Sequence, residues 1–315
     1  MKTITANALG PDILWPLFIN AIDAGHALPP AQIEDTFLGP QGQTLLSRAA
    51  WIQGLGFGVK SVTVMAGNAG IGLPTVQGAM LVFDETRGTL RAVIESDLVT
   101  NLKTAADSAL GARYLARPDS RKMLVIGAGK VAANVIAAYS QTFSELREFM
   151  IWNRTGSKAK ALATELSAKG LNATAVDNLE AAVVEADIIT TATMSTEPVL
   201  KGAWVQPGTH VDLIGAFRAE MREADDALLQ KARLFVDSRD TTVHHIGEIK
   251  IPLAAGIITE TDILADLYQL KAGALGRTSP ADITVFKNGG GAHLDLMTAC
   301  AILETCSVSS DQQFP

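Results

Sequence analysis

The stretch KMLVIGAGKVAANVIAAYS, residues 122–140, decides the fold. Four apolar residues follow Lys122 without interruption, as in a strand buried on both faces. Gly127, Gly129 and Ala132 come next in G-x-G-x-x-A spacing, and apolar residues then recur at helical intervals. In a strand–turn–helix unit the first glycine permits the tight turn and the second lets a pyrophosphate approach the backbone. The small third residue lets helix and strand pack closely. The free N–H groups and the dipole at the helix start attract the pyrophosphate. The spacing predicts a dinucleotide site built from Gly127, Ala128, Gly129, Lys130 and Val131.

The same alternation continues outward. EFMIWN (148–153), DIITTAT (187–193), HVDLIGA (210–216), RLFVDS (233–238) and ITVFKN (283–288) read as strands, with helical stretches between most of them. This predicts an α/β Rossmann-type domain, a doubly wound parallel sheet, over residues 119–289. TDILADLYQL (261–270) reads as one helix and 239–256 as a loop. The second strand ends at Asn153 and Arg154, followed by Thr155 and Lys158, where an NAD site usually carries an acid. A guanidinium and hydroxyls suit a 2′-phosphate, so NADPH is expected ahead of NADH. Thr193, Met194 and Ser195 at and after the end of DIITTAT, and Asn288 at the end of the last strand, complete the expected cofactor contacts.

Residues 1–118 read as an α+β domain. GPDILWPLFINAIDAG (10–25) is a helix stopped by Gly25. TLLSRAAW (44–51), FGVKSVTVM (57–65), TVQGAMLVFDE (75–85) and TLRAVIES (89–96) are strands, and 98–116 is a long helix. A last helix, within about 290–315, is expected to pack back on this domain. Three cations stand among apolar neighbours: Arg48, Lys60 and Lys103. Together they predict a pocket for a substrate carboxylate.

Net charge of −7 argues against nucleic acid and anionic membranes as partners. No apolar run nears the roughly 20 residues of a membrane span, and no signal peptide is read at the start. Cys300 and Cys306, the two cysteines, fit no metal pattern and read as reduced thiols of a cytoplasmic protein. No metal-ligand cluster is expected. His293 is retained as a neighbour of the site, whereas His210, Asp212 and Asp295 read as packing residues and His244 and His245 as solvated.

GVKSVTV, LVFDETRGTLRAVIES, KTAADSAL, VIGAGKVA, WNRT, PGTHVDLIGAFRAEMRE, VDSR and ITVFKNGGGAHLD together resemble the ornithine cyclodeaminase/mu-crystallin family over nearly the whole chain. The resemblance implies a homodimer whose first domain binds substrate and dimerises. It makes Lys60 a contact of the substrate carboxylate and puts Lys103 where many members carry arginine, keeping charge but losing the bidentate fork. Arg48 is placed to replace an arginine missing from FLGPQGQTLLS (37–47). Cyclodeaminases carry an aspartate where this chain has Phe217, and its loss disfavours chemistry that shuttles protons at an amine. What remains is NADPH-dependent reduction of a cyclic ketimine carboxylate, with Phe217 as a pocket wall. Ornithine cyclodeamination, an alanine dehydrogenase-like reaction and a non-catalytic NADP-binding role are the alternatives.

Overall fold

The structure, a computed structural model, describes residues 1–10, 12–40 and 42–311. Two compact units are present, one of residues 1–103 with the segment from 291, the other of residues 104–290. The sequence-based boundary at 118 lies just past α2 (Ser96–Leu115), and the units divide inside that helix.

The first unit begins with β1 (Lys2–Ile4), α1 (Trp15–Gly25), β2 (Gln32–Leu38), β3 (Gln43–Ile52), β4 (Gly56–Met65), β5 (Val76–Phe83) and β6 (Leu90–Glu95). These strands form one six-stranded sheet in the order β1-β6-β5-β4-β3-β2. All neighbours are antiparallel except β1 with β6. The four strands read from sequence are there; β1 and the polar edge strand β2 were not foreseen. The C-terminal helix (Ala292–Asp311) packs on α1 and on β2 to β5, while residues 312–315 lie outside the described residues. Gly25 ends α1 without a left-handed φ. Its role is close approach, since a Cβ there would sit 2.5 Å from Sδ of Met297 on the C-terminal helix. Pro11, within the stretch read as helix from residue 10, also lies outside the described residues.

The second unit contains β7 (Lys122–Ile126), α3 (Lys130–Thr142), β8 (Glu148–Trp152), α4 (Gly156–Ala168), β9 (Ala173–Ala175), α5 (Leu179–Glu185), β10 (Ile188–Thr191) and β11 (His210–Leu213). It continues through α6 (Asp226–Lys231), β12 (Arg233–Val236), α7 (Arg239–Thr242), α8 (Gly247–Ala254), β13 (Ile263–Ala265), α9 (Leu267–Lys271) and β14 (Thr284–Lys287). Its eight strands are all parallel, in the order β13-β12-β14-β11-β10-β7-β8-β9. The chain order reverses direction between β7 and β10, the switch point at which such sheets open a crevice beyond their strand ends. Leu124, Ile126, Ile189, Val211, Leu213 and Val285 fill the core between sheet and helices.

Two readings are corrected. Residues 261–270 are not one helix. Thr259 and Asp262 close a capping box on a short 3-10 turn, Ile263–Ala265 pairs with β12, and Asp266 then caps α9 through the N–H of Gln269. The pairing edge of β12 overrides the helical spacing of the apolar residues. Residues 239–256 are not a loop, because α7 and α8 form there. Gly247 is a packing residue: a Cβ would lie 2.5 Å from the carbonyl oxygen of Met221.

Candidate active site

In the second unit, β7 delivers Gly127 into the turn at φ 132°, a conformation that favours glycine. A Cβ on Gly127 would meet the carbonyl oxygen of Ala192 at 2.5 Å, so the loop after β10 closes directly on this turn. Gly129 precedes α3 in extended conformation, no side chain caps that helix start, and a Cβ at Gly129 would meet nothing within 4 Å. Ala132 is fully buried. The result is a tight backbone turn with Gly129 and Lys130 exposed at an uncapped helix N-terminus, which fits a dinucleotide pyrophosphate. Lys130 and Val131 form the first turn of that helix.

At the end of β8, Asn153 donates through Nδ2 to the carbonyl of Thr155, and Arg154, Thr155 and Lys158 are exposed. No acid stands among residues 153–158. Met194 is exposed, and Ser195 is bonded into its own turn through the carbonyl of Glu197. Thr193 donates both its N–H and its hydroxyl to Glu223, so its side chain is committed to the protein. Asn288 is buried, and its amide donates to the carbonyl of Thr104 and the hydroxyl of Ser108. Phe217, two residues past Gly215, is 54% exposed, with the Arg218 guanidinium 5.4 Å from its ring centroid.

In the first unit, antiparallel pairing sets Arg48 on β3 directly opposite Lys60 on β4. Lys60 is buried and donates to Asp295 Oδ1 at 2.7 Å and to Thr100 Oγ1 at 3.4 Å. Burial holds the Lys60 ammonium below the ordinary lysine range, and the charges of Lys103 and Arg48 push the same way against Asp295. Burial would raise Asp295, but Lys60, Lys103 and Arg48 outweigh it and keep the carboxyl below its ordinary value. Lys103 is buried on α2. The structure therefore brings all three sequence-selected cations into one electrostatic cluster. Arg48 is also gripped by Asp35, its cross-strand partner, through Nε at 3.1 and 3.0 Å and Nη2 at 2.8 Å. His293 belongs to the same cluster, fully buried, with its ring edge-on to His26 and its pKa pushed down to about 3 by burial and then by His26 and Lys103.

Sequence reasoning set aside Asp295, now seen as the partner of Lys60, and had no reason to select Asp35, which lies on the unforeseen β2. His210 and Asp212 lie inside the sheet. His210 is paired with Thr284 Oγ1 at 2.9 Å, and Asp212 accepts from the Tyr139 hydroxyl at 3.0 Å. Among the described residues no group of three or more His, Cys, Asp or Glu side chains could hold a metal ion, and no helix is long and apolar enough to cross a membrane.

The family model described as "Ornithine cyclodeaminase/mu-crystallin family" matches residues 50–310. The chain belongs to the ornithine cyclodeaminase/mu-crystallin family. Within it, the Delta(1)-pyrroline-2-carboxylate reductase of Paracoccus denitrificans (strain Pd 1222) is 56% identical over 289 residues, 91% of this chain and 92% of the relative. The Thermococcus litoralis Delta(1)-pyrroline-2-carboxylate reductase, solved in complex with NADH and L-proline, superposes with a TM-score of 0.90 at 28% identity, covering 98% of both chains. An archaeal alanine dehydrogenase dimer with bound NAD also reaches 0.90, at 29% identity over 98% of this chain and 96% of that one. Both solved structures thus span both units of this chain.

Proposed function

We propose that this chain is an imine reductase that converts Δ1-pyrroline-2-carboxylate, and its six-membered homologue Δ1-piperideine-2-carboxylate, to L-proline and L-pipecolate with NADPH. The observation that carries the reading is Phe217, an apolar ring at the position where cyclodeaminases of this family carry an acid. Deamination of ornithine moves protons repeatedly at an amine and needs such a group. A ketimine that arrives protonated accepts hydride at its C2 without an acid from the protein, so positioning dominates. Lys60 and Lys103 hold the carboxylate. Arg48, braced by Asp35, adds positive charge to that pocket, and Phe217 presents an apolar wall to the ring.

The bound dihydronicotinamide supplies the hydride. Gly127, Ala128, Gly129, Lys130 and Val131 receive the pyrophosphate. Asn153, Arg154, Thr155 and Lys158 receive the adenosine end, and Arg154, with no acid among residues 153–158, favours NADPH over NADH. Thr193, Met194, Ser195 and Asn288 shape the remainder. The protein works as a cytoplasmic homodimer. Support for a dimer comes from the first unit's sheet, whose edge strand β2 exposes Phe37 and Leu38 at 65% and 59%. Sedimentation at twice the chain mass is the expected result, and a monomer would remove that element.

The deciding experiment runs two assays side by side: NADPH oxidation with Δ1-pyrroline-2-carboxylate, and ammonia release from L-ornithine with NAD. Imine reduction without ammonia release is expected. Ammonia release without imine reduction would replace this reading by ornithine cyclodeamination.

A further inference from the structure

Glu223, the acceptor of the Thr193 bonds, is fully buried. Its carboxylate accepts five hydrogen bonds. Oε1 takes the N–H and the hydroxyl of Thr193 at 2.7 and 2.8 Å. Oε2 takes the hydroxyl of Thr191 at 2.7 Å and the N–H groups of Gly215 and Ala216 at 2.6 and 3.3 Å. Thr191 ends β10 and Thr193 follows it; Gly215 and Ala216 follow β11. One carboxylate thus ties together the loops that leave two adjacent parallel strands at their carboxyl ends, beside the switch point.

The tie is itself anchored. The backbone N–H groups of Glu223 and Ala224 donate to the buried Glu248 carboxylate at 2.7 and 3.0 Å. The carbonyl of Glu223 accepts from Val199 and Leu200, at the far end of the β10 loop. Lys287, buried on β14, donates to the carbonyls of Leu213 and Asn288 and supplies the nearby positive charge. Gly215 fits under Glu223 only as glycine, because a Cβ would lie 2.1 Å from the Thr193 carbonyl oxygen and 2.4 Å from Glu223 Oε1. The β10 loop in turn abuts the pyrophosphate turn, where Ala192 closes on Gly127. Five donors converging on an acceptor-only group form a rigid junction.

We propose that Glu223 is a positioning residue that fixes the β10 and β11 loops, with Phe217 at the end of the second, to receive the nicotinamide half of the cofactor. It acts through those loops and does not itself touch the reacting atoms. The inference rests on the dinucleotide site of the proposed function, but not on the identity of the imine.

The test is binding to the full-length chain by calorimetry. Two probes are used: the intact reduced dinucleotide that the wild type binds more tightly, NADPH or NADH, and the matching fragment without nicotinamide, 2′-phospho-ADP-ribose or ADP-ribose. Glu223→Gln keeps the shape but turns two N–H donors toward other donors. It should weaken the intact dinucleotide about tenfold or more, the scale of a lost charge-assisted bond, while the fragment stays within about twofold. Thr191→Val, which deletes one donor and conserves volume, should shift the same ratio in the same direction by a smaller factor, and it serves if Glu223→Gln fails to fold. Equal weakening of dinucleotide and fragment by the folded variant, or no change in either, overturns the proposal. Wild-type binding of both probes without imine reduction would sink the assigned substrate while leaving the loop assignment tested on its own terms. Absence of dinucleotide binding by the wild type would overturn both.

Discussion

Lys60 and Asp295 are a buried pair with one bond of 2.7 Å between them, and each depends on the other. Lys60→Ala would leave the Asp295 carboxylate buried without its cation, a loss of about 3–5 kcal/mol in stability. Lys60→Ala with Asp295→Asn removes both charges and should regain most of that stability in a denaturant titration. The double variant should still show a KM for the imine raised about 10–100-fold, the scale of one charge-assisted bond to a carboxylate. An unaltered KM would make Lys60 a purely structural cation. Arg154 tests the other end of the reaction. It is exposed at the end of β8, so Arg154→Asp should leave the melting temperature in place. The NADPH-to-NADH ratio of kcat/KM should fall about 10–100-fold, since a repelled 2′-phosphate replaces a paired one. A constant ratio would remove Arg154 from the 2′-phosphate site. Residue types alone led to both positions, because a lysine inside a strand and an arginine in place of an acid are locally anomalous. Asp35 and Glu223 carried no such anomaly. An aspartate on a polar edge strand and a glutamate in a charged loop look solvated until β2 pairs with β3 and the loops after β10 and β11 are folded.

At the scale of elements, the strand–turn–helix at β7 and α3 separates two glycines that the sequence motif treats alike. Gly127 combines a φ of 132° with a Cβ position 2.5 Å from a backbone oxygen. Gly127→Ala should therefore cost about 1–3 kcal/mol of stability before any ligand is added. Gly129 has an ordinary extended backbone and open space at its Cβ position. Gly129→Ala should keep the melting temperature within a degree or two and yet weaken dinucleotide binding at least tenfold, because its methyl would intrude on the cradle. Thermal melts of both variants without and with dinucleotide check this, and a Gly129→Ala protein that still gains normal ligand stabilisation would contradict the cradle assignment. Elements were legible in the sequence where one periodicity ruled, as in β7, β10 and α2. They were lost where pairing or packing decided. Residues 263–265 have helical spacing but are claimed by the edge of β12, and residues 239–256, polar enough to read as a loop, fold into α7 and α8.

Across the whole molecule, four of the buried titratable groups pull stability in opposite senses in mild acid. Burial pushes His210 and His293 from an ordinary 6.5 down to about 3. Their neutral forms suit the fold, so their contribution is complete above 6.5 and is lost as pH falls toward 3. Burial moves Asp212 from 3.8 up to about 7 and Glu248 from 4.5 up to about 7. Their protonated forms suit the fold, so their contribution is complete below their ordinary values and is lost as pH rises toward 7. Between about pH 5 and 6 the unfolded chain binds two more protons at the histidines and two fewer at the acids, and the slopes cancel. Stability from these groups should be level across that interval. His210→Asn keeps a partner for Thr284 but removes one histidine from the balance. The variant's stability should then fall as pH rises from 5 to 6, by about 1.4 kcal/mol per pH unit for one net proton. Urea titrations of both proteins at several pH values read this directly. A level curve for the variant would mean that the histidine and acid contributions do not oppose one another as the buried geometry requires.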